Sequence, residues 1–198
     1  MSTLQALLAD ALAVIFDCDG TLVDTPPLYA RAWAVGFRSS GQEMPAEWYL
    51  ARAGMSEHVL MDAFEAYAGL TLRRDEVVRL MRAAFLNELH ALREIGAVAA
   101  IARENRGRRP LAVASGGSRA IVTATLRATG LLPLFDTVVT LDDVGRAKPE
   151  PDLFLEAARR LGVPAGRCLV LEDSREGLEA AVRAGMRSVD VADILAPG

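Results

Sequence analysis

The sequence predicts an α/β protein in which a parallel sheet carries helices on its faces and an all-helical segment interrupts the chain after the first strand. Three observations carry that prediction. Short apolar runs without polar alternation, at residues 11–16, 110–114 and 168–171, suit strands buried on both faces of a parallel sheet. Beyond residue 95 such runs alternate with helical periodicity across short connections, the pattern of repeated strand-helix units. Between residues 26 and 92 the alternation stops and only helical periodicity remains.

The first strand ends at Asp17, and Thr25 followed by Pro26-Pro27 then reads as an N-cap with proline in a first helical turn. Tyr29, Trp33 and Phe37 recur every fourth residue. A short helical piece covers 48–51 after Pro45, and Val59, Leu60, Ala63, Phe64 and Tyr67 mark another helix. An amphipathic helix is expected from Asp75 toward Leu92, with Val77, Leu80, Met81, Ala84, Phe85 and Leu89 along one side. The aromatic stripe of this segment reads as core. A helix then ends near Asn105-Arg106-Gly107, and a strand at 110–114 runs into Ser115-Gly116-Gly117-Ser118. A helix over 119–129 closes at Gly130, and 137–140 is a third strand. The helix over 152–161 ends at Gly162, the strand 168–171 follows, the helix 175–184 ends at Gly185, and 188–191 is a fifth strand. No internal repeat or low-complexity tract is visible.

At 198 residues and 52% apolar content the chain is long enough to bury a sizeable core. A net charge of −4 argues against nucleic acid or an anionic membrane as the main partner. Cys18 and Cys168 lie far apart with no C-x-x-C, so core thiols in a reducing compartment are expected rather than a disulfide or zinc site. Residues 1–6 have neither a basic flank nor a long apolar run, and no later stretch could span a bilayer. The expected location is cytoplasmic.

The chemistry concentrates at strand ends. In extended chain Asp17 and Asp19 project to one side while Cys18 points away, and two like charges so placed need a cation or a shared proton. Gly20 permits a turn that other residues avoid, and Thr21 adds a hydroxyl. A calcium-binding EF-hand loop opens with the same letters but requires glycine sixth and glutamate twelfth, where this chain has Leu22 and Leu28. A solvated acidic turn is the other reading of the motif alone. Ser115, Lys148 and the pair Glu172-Asp173 also fall at or just beyond strand ends, hence on one rim of a parallel sheet. Taken singly, Ser115 and Glu172-Asp173-Ser174 could be ordinary helix-capping groups and Lys148 a surface residue. Lys148, however, is the only lysine in a chain whose other basic residues are all arginine, which suggests a position requiring a compact ammonium. A phosphomonoester unites the set: a carboxylate approaches a phosphate dianion only when a hard cation such as Mg²⁺ offsets the charge. There is no G-x-S-x-G, Walker A or G-x-G-x-x-G motif, and His58 and His90 both lie in the helical segment.

Taken together, D-C-D-G-T-L-V-D at 17–24, Ser115, A-K-P-E-P-D at 147–152 and L-E-D-S-R-E-G-L-E-A-A at 171–181 resemble the four motifs of the haloacid dehalogenase superfamily. The helical insert is similar to the cap of its β-phosphoglucomutase-like branch. The stretch from Gly107-Arg108-Arg109-Pro110 through Val189-Asp190-Val191 looks closest to bacterial sugar-phosphate phosphatases of the fructose-1-phosphate type. The resemblance implies a Rossmann-like catalytic core at 1–25 and 93–198 and a helical cap at 26–92. It also implies that Asp17 is the nucleophile forming an aspartyl-phosphate and that Asp19 is the general acid and base. Thr21, Ser115, Gly116 and Lys148 would bind the phosphoryl group. Mg²⁺ would be held by Asp17, by the Asp19 backbone carbonyl and by Asp173, with Glu172 at the metal or just beyond its ligands. Asp24 would hold the turn, and hinges near Thr25 and between Leu89 and Glu94 would let the cap close.

Two positions depart from the mutases of that branch. Tyr29 stands where they carry histidine, and Glu57 follows Ala53-Gly54-Met55-Ser56 where they carry a phosphate-binding arginine. Tyr29, Gly54, Ser56 and Glu57 are thus candidate cap contacts to substrate, and a bisphosphate would meet an acid at Glu57. The favoured expectation is a Mg²⁺-dependent phosphatase acting on a small-molecule phosphomonoester, as a monomer or weak homodimer. A sugar-phosphate mutase and a non-catalytic phosphate-binding interaction protein are the alternatives.

Overall fold

The computed structural model describes residues 3–196. In chain order it contains α1 (Thr3–Asp10), β1 (Ala13–Phe16), α2 (Pro26–Arg38), α3 (Ala46–Leu50), α4 (Glu57–Ala68), α5 (Arg74–Asn87) and α6 (Gly96–Asn105). There follow β2 (Leu111–Ser115), α7 (Arg119–Ala128), β3 (Thr137–Thr140), α8 (Leu141–Val144) and α9 (Asp152–Leu161). The chain then forms β4 (Cys168–Glu172), α10 (Arg175–Arg183), β5 (Arg187–Asp190) and α11 (Val191–Leu195). Two compact units result: one runs to Asp24 and resumes at Arg93, and the other is Thr25–Leu92.

The first unit is a five-stranded, all-parallel sheet in the order β3-β2-β1-β4-β5. Its central strands β1, β2 and β4 are buried along their whole length, which explains why they read as unbroken apolar runs. Ala13, Ile15, Ala112, Ala114, Val139, Cys168 and Val170 share one face of the sheet. They pack against Leu153, Phe154, Ala157 and Ala158 of α9 and Ala180 and Ala181 of α10. Cys18 and Cys168 are both free, buried thiols. Phe16↔Leu171 pairing sets the register of β1 on β4, so Asp17, just past β1, comes beside Glu172, the last residue of β4, on the rim.

The second unit is wholly helical, and its aromatic stripe is core. Trp33 stacks on Phe37 at 5.2 Å, Phe37 on Phe64 at 3.8 Å, and Trp48 meets Phe64 edge-on. Helices α2 and α5 approach so closely that a Cβ placed on Gly36 would lie 2.7 Å from the Val77 carbonyl oxygen.

Several boundaries differ from the sequence reading for local reasons. The Ala11 amide bonds back to the Leu7 and Leu8 carbonyls, closing a helix the sequence did not announce, so β1 starts at Ala13 rather than at residue 11. Thr25 precedes α2 as expected, yet its backbone is helical and its buried hydroxyl makes no cap bond. Helix α5 stops at Asn87 because Glu88 leaves helical geometry, and Leu89–Ala91 form a 3-10 turn in place of the continuous helix expected to Leu92. Thr140 and Asp143 form a capping box that starts α8, a helix too short to show periodicity. Asp190 ends β5 and caps α11 through Ala192 N, which moves the fifth strand one residue earlier than predicted. Among the described residues no helix is long and apolar enough to cross a membrane. Met1 and Ser2, part of the N-terminal stretch read as lacking a leader, lie outside the described residues.

Gly36→Ala should destabilise the helical unit. The added methyl gains helix propensity, up to about 1 kcal/mol, but meets a backbone oxygen that cannot rotate away, and overpacking costs about 1–3 kcal/mol. A lowered urea midpoint by far-UV circular dichroism checks it, and an unchanged midpoint would show that the helices separate freely.

Candidate active site

Four segments meet at the carboxyl-end rim of the sheet. Asp17 follows β1 directly, its amide bonded to the Leu171 carbonyl at 3.0 Å. The chain then turns tightly: Leu22 and Val23 amides return to the Cys18 carbonyl, and Gly20 N to Val23 O. Gly20 has φ +83°, and a Cβ there would lie 2.2 Å from Asp173 Oδ2. Only glycine therefore satisfies both the turn and the close approach of the carboxylate.

Lys148 lies at the centre of this arrangement. Its Nζ donates to Asp17 Oδ1 at 2.5 Å and to Glu172 Oε2 at 2.7 Å. The side chains of Lys148, Asp17 and Glu172 are 10%, 7% and 1% exposed, so these are buried, charge-assisted bonds. The Phe154 ring lies 5.1 Å from the ammonium. The Lys148–Pro149 peptide is cis. Glu172, last residue of β4, also accepts from Ser174 N and Oγ at 3.1 and 2.7 Å.

Asp173 is the exposed member, and Thr21 Oγ1 donates to it at 2.9 Å. The Thr21 hydroxyl, expected to face phosphate, is thus engaged with a carboxylate. Ser115 ends β2; its Oγ accepts from Gly117 N at 3.1 Å and reaches Asp19 Oδ2 at 3.4 Å, a long contact. Gly116 beside it is half-buried, with nothing near its missing Cβ.

Burial, and after it the Glu172 charge, pushes the Asp17 carboxyl well above the usual carboxylate range, with Lys148 opposing. Although Asp173 is the most accessible of the three, partial desolvation where its carboxyl meets the rim raises it to about 6, helped by Glu172 and opposed by the Thr21 bond and Lys148. Burial disfavours the Lys148 charge, but Asp17 and Glu172 outweigh it and hold the ammonium protonated. Burial, and after it the Asp19 and Asp17 charges, raises the Cys18 thiol well above its ordinary value.

Asp17, Glu172 and Asp173 each present one oxygen, all within 4.8 Å of one another. Three carboxylates against one ammonium leave two negative charges, and all the donors are oxygen. That set fits a hard divalent cation.

The other expected residues lie in the helical unit. Tyr29 packs on Phe85 with centroids 4.4 Å apart. Gly54 is exposed with φ +93°, and Ser56 precedes α4 without a side-chain cap bond. Glu57 is not a bare acid: Arg82 Nη2 and Nε bond both its oxygens at 2.9–3.2 Å. Sequence reasoning missed Arg82, which lies 25 residues away on another helix. It also missed what Ser174 and Gly177 do around Glu172.

A family model for haloacid dehalogenase-like hydrolases matches residues 12–185 of the chain. The chain belongs to that family. Among curated relatives, the fructose-1-phosphate phosphatase YqaB of Escherichia coli is 37% identical, covering 90% of this chain and 95% of that protein. Hexitol phosphatase A of Escherichia coli is 32% identical over 89% of this chain and 81% of its own length. The solved structure of CbbY from Rhodobacter sphaeroides with phosphate matches with a TM-score of 0.78 and 28% identity, covering 95% of this chain and 87% of that one. With this family and these relatives, the chain is an enzyme of the phosphatase type, and a non-catalytic interaction protein finds no support.

Lys148→Ala would leave Asp17 buried without its ammonium partner, and breaking such a pair costs about 3–5 kcal/mol at neutral pH. The loss should shrink with acidification. A carboxyl whose folded pKa is raised binds its proton more tightly folded than unfolded, so its penalty is full above the folded value and fades toward pH about 4. Denaturant titrations at several pH values check this; a loss that does not vary with pH would mean that Asp17 is not the cause.

Proposed function

We propose that this phosphatase is a Mg²⁺-dependent phosphomonoesterase for small sugar phosphates, working through phosphoryl transfer to Asp17. The observation that carries the proposal is the Lys148 ammonium bridging Asp17 and Glu172 beside Asp173. This is a desolvated carboxylate held at a strand end next to a ligand set for a dication.

In this reading Asp17 and Asp173 would hold the metal, joined by the Asp19 backbone carbonyl as the family resemblance implies. Bound Mg²⁺ supplies the charge neutralisation that lets a phosphate dianion approach the carboxylates. Lys148 fixes one oxygen of Asp17 and adds positive charge for the phosphoryl oxygens, with Ser115 and the amides beside Gly116 as further donors. A carboxylate oxygen of Asp17 attacks phosphorus as the bond to the leaving alcohol breaks, and Asp19 gives that alcohol its proton. Asp19 then takes a proton from the water that attacks the aspartyl-phosphate, releasing inorganic phosphate and free Asp17. Thr21 orients Asp173. The core of residues 1–25 and 93–198 carries the chemistry, and the cap of residues 26–92 sets selectivity.

The relatives named for fructose 1-phosphate and hexitols make polyol and ketose phosphates the substrates to try first. Phosphate release across a panel of phosphomonoesters, with and without Mg²⁺, is the test. Turnover should require Mg²⁺ and favour sugar phosphates, and Asp17→Asn should lose at least about a thousandfold, roughly 4 kcal/mol of barrier. Metal-independent turnover, or an Asn variant within tenfold of the parent, would refute the mechanism.

One observation favours a mutase as second reading. The acid expected to repel a second phosphate, Glu57, is neutralised by Arg82, which brings a cation to that position. Glucose 1-phosphate with Mg²⁺ and a trace of bisphosphate separates the two. The hydrolase yields glucose or nothing, whereas accumulating glucose 6-phosphate would reverse the ranking.

A further inference from the structure

Glu172 is 1% exposed, the most enclosed charge of the rim, and its two oxygens face different partners. Oε2 accepts from Lys148. Oε1 accepts from Ser174 N and Oγ, and the same Ser174 Oγ accepts from Gly177 N at 3.1 Å, capping α10. One hydroxyl thus donates to Glu172 and accepts from the helix.

Gly177 completes the seat. A Cβ there would lie 2.0 Å from Glu172 Cδ and 2.2 Å from Oε2, so the carboxylate fills the space a side chain would need. The backbone does not call for glycine, because Gly177 is helical and is not among the glycines of positive φ. Glycine within a helix costs about 1 kcal/mol relative to alanine. Helix α10 carries that cost in its first turn, where the only demand on the residue is volume.

We infer that Ser174 and Gly177 are positioning residues for the reaction: they seat Glu172, so that its second oxygen holds the Lys148 ammonium against Asp17. They act through Glu172 and Lys148 rather than on the phosphoryl group. Because Glu172 Oε1 is engaged by Ser174 and Oε2 by Lys148, Glu172 serves first as the anchor of the lysine. The inference rests on the proposed role of Lys148 in phosphate binding, but the placement of the ammonium is measurable without turnover.

The 198-residue chain contains a single lysine, so labelling with ¹⁵Nζ-lysine gives one ammonium resonance that needs no assignment. It is recorded on metal-free, substrate-free protein, alongside steady-state kinetics with Mg²⁺ and the best substrate of the panel. Ser174→Asp can still cap α10 but cannot donate to Glu172, Ser174→Ala can do neither, and Ser174→Thr can do both. Gly177→Ala fills the seat directly. The parent and Ser174→Thr should show a slowly exchanging ammonium signal. Ser174→Asp, Ser174→Ala and Gly177→Ala should shift or broaden it. In kcat they should fall by about 10-fold to 100-fold, the range for partners that orient a reacting group, with a smaller change in KM. Far-UV circular dichroism at the assay temperature should show every variant folded like the parent, which separates lost positioning from lost folding. An unchanged resonance in Ser174→Asp, a threonine variant as impaired as alanine, or a parent ammonium already in fast exchange would each overturn the inference. If the resonance responds as expected while no phosphomonoester is hydrolysed, the positioning stands and the proposed function fails.

Discussion

Three carboxylates brought within 4.8 Å of one another, two of them buried, repel, and the rim depends on the single ammonium that holds those two there. Lys148 bonds two of the three, and the fold delivers all of them through strand register. Because Phe16 pairs with Leu171 on adjacent parallel strands, Asp17 and Glu172 leave the sheet next to each other, and Asp173 follows one residue later. Parallel strands have all their carboxyl ends on one rim, so the sheet concentrates charge there while its apolar strands stay buried. The arrangement stays short of neutrality by two charges. That deficit is what a hard dication would offset, and with it in place the rim could admit a phosphate dianion.

The supporting contacts show how much of the surrounding chain serves this constraint. Thr21 reaches across to Asp173, Ser174 grips Glu172, and Gly20 and Gly177 leave room for the two carboxylates. Each contact limits the freedom of an acid that electrostatic repulsion would otherwise move. Fixing charges before substrate arrives is what gives preorganised sites their catalytic advantage, since nothing has to reorganise as charge develops.

Much of this was legible in the sequence. Apolar runs ending in acids marked the strand ends, the lone lysine marked the cation, and alternation against pure helical periodicity marked the two units. What escaped notice had no local pattern. Helices α1 and α8 are too short for periodicity, and α5 ends at Asn87 with neither glycine nor proline to announce it. The Thr21 hydroxyl could have faced phosphate or carboxylate, and only the three-dimensional turn decides. Arg82 is joined to Glu57 across 25 residues, so the acid that seemed to exclude a second phosphate is paired with a cation the sequence did not connect to it. Gly177 did carry a signal, as a glycine in the first turn of an otherwise ordinary helix, but only the packing shows that it makes space rather than a bend.

The central claim is that the lysine-held carboxylate of Asp17 carries the phosphoryl group. The direct measurement is acid quenching of the enzyme during turnover with Mg²⁺ and a sugar phosphate, borohydride reduction of any acyl phosphate, and peptide mapping by mass spectrometry. The account predicts that Asp17 alone is reduced, to homoserine, and only when metal and substrate are both present. A phosphorylated Ser115, or an enzyme turning over with no modified residue on the peptide that contains Asp17, would contradict it.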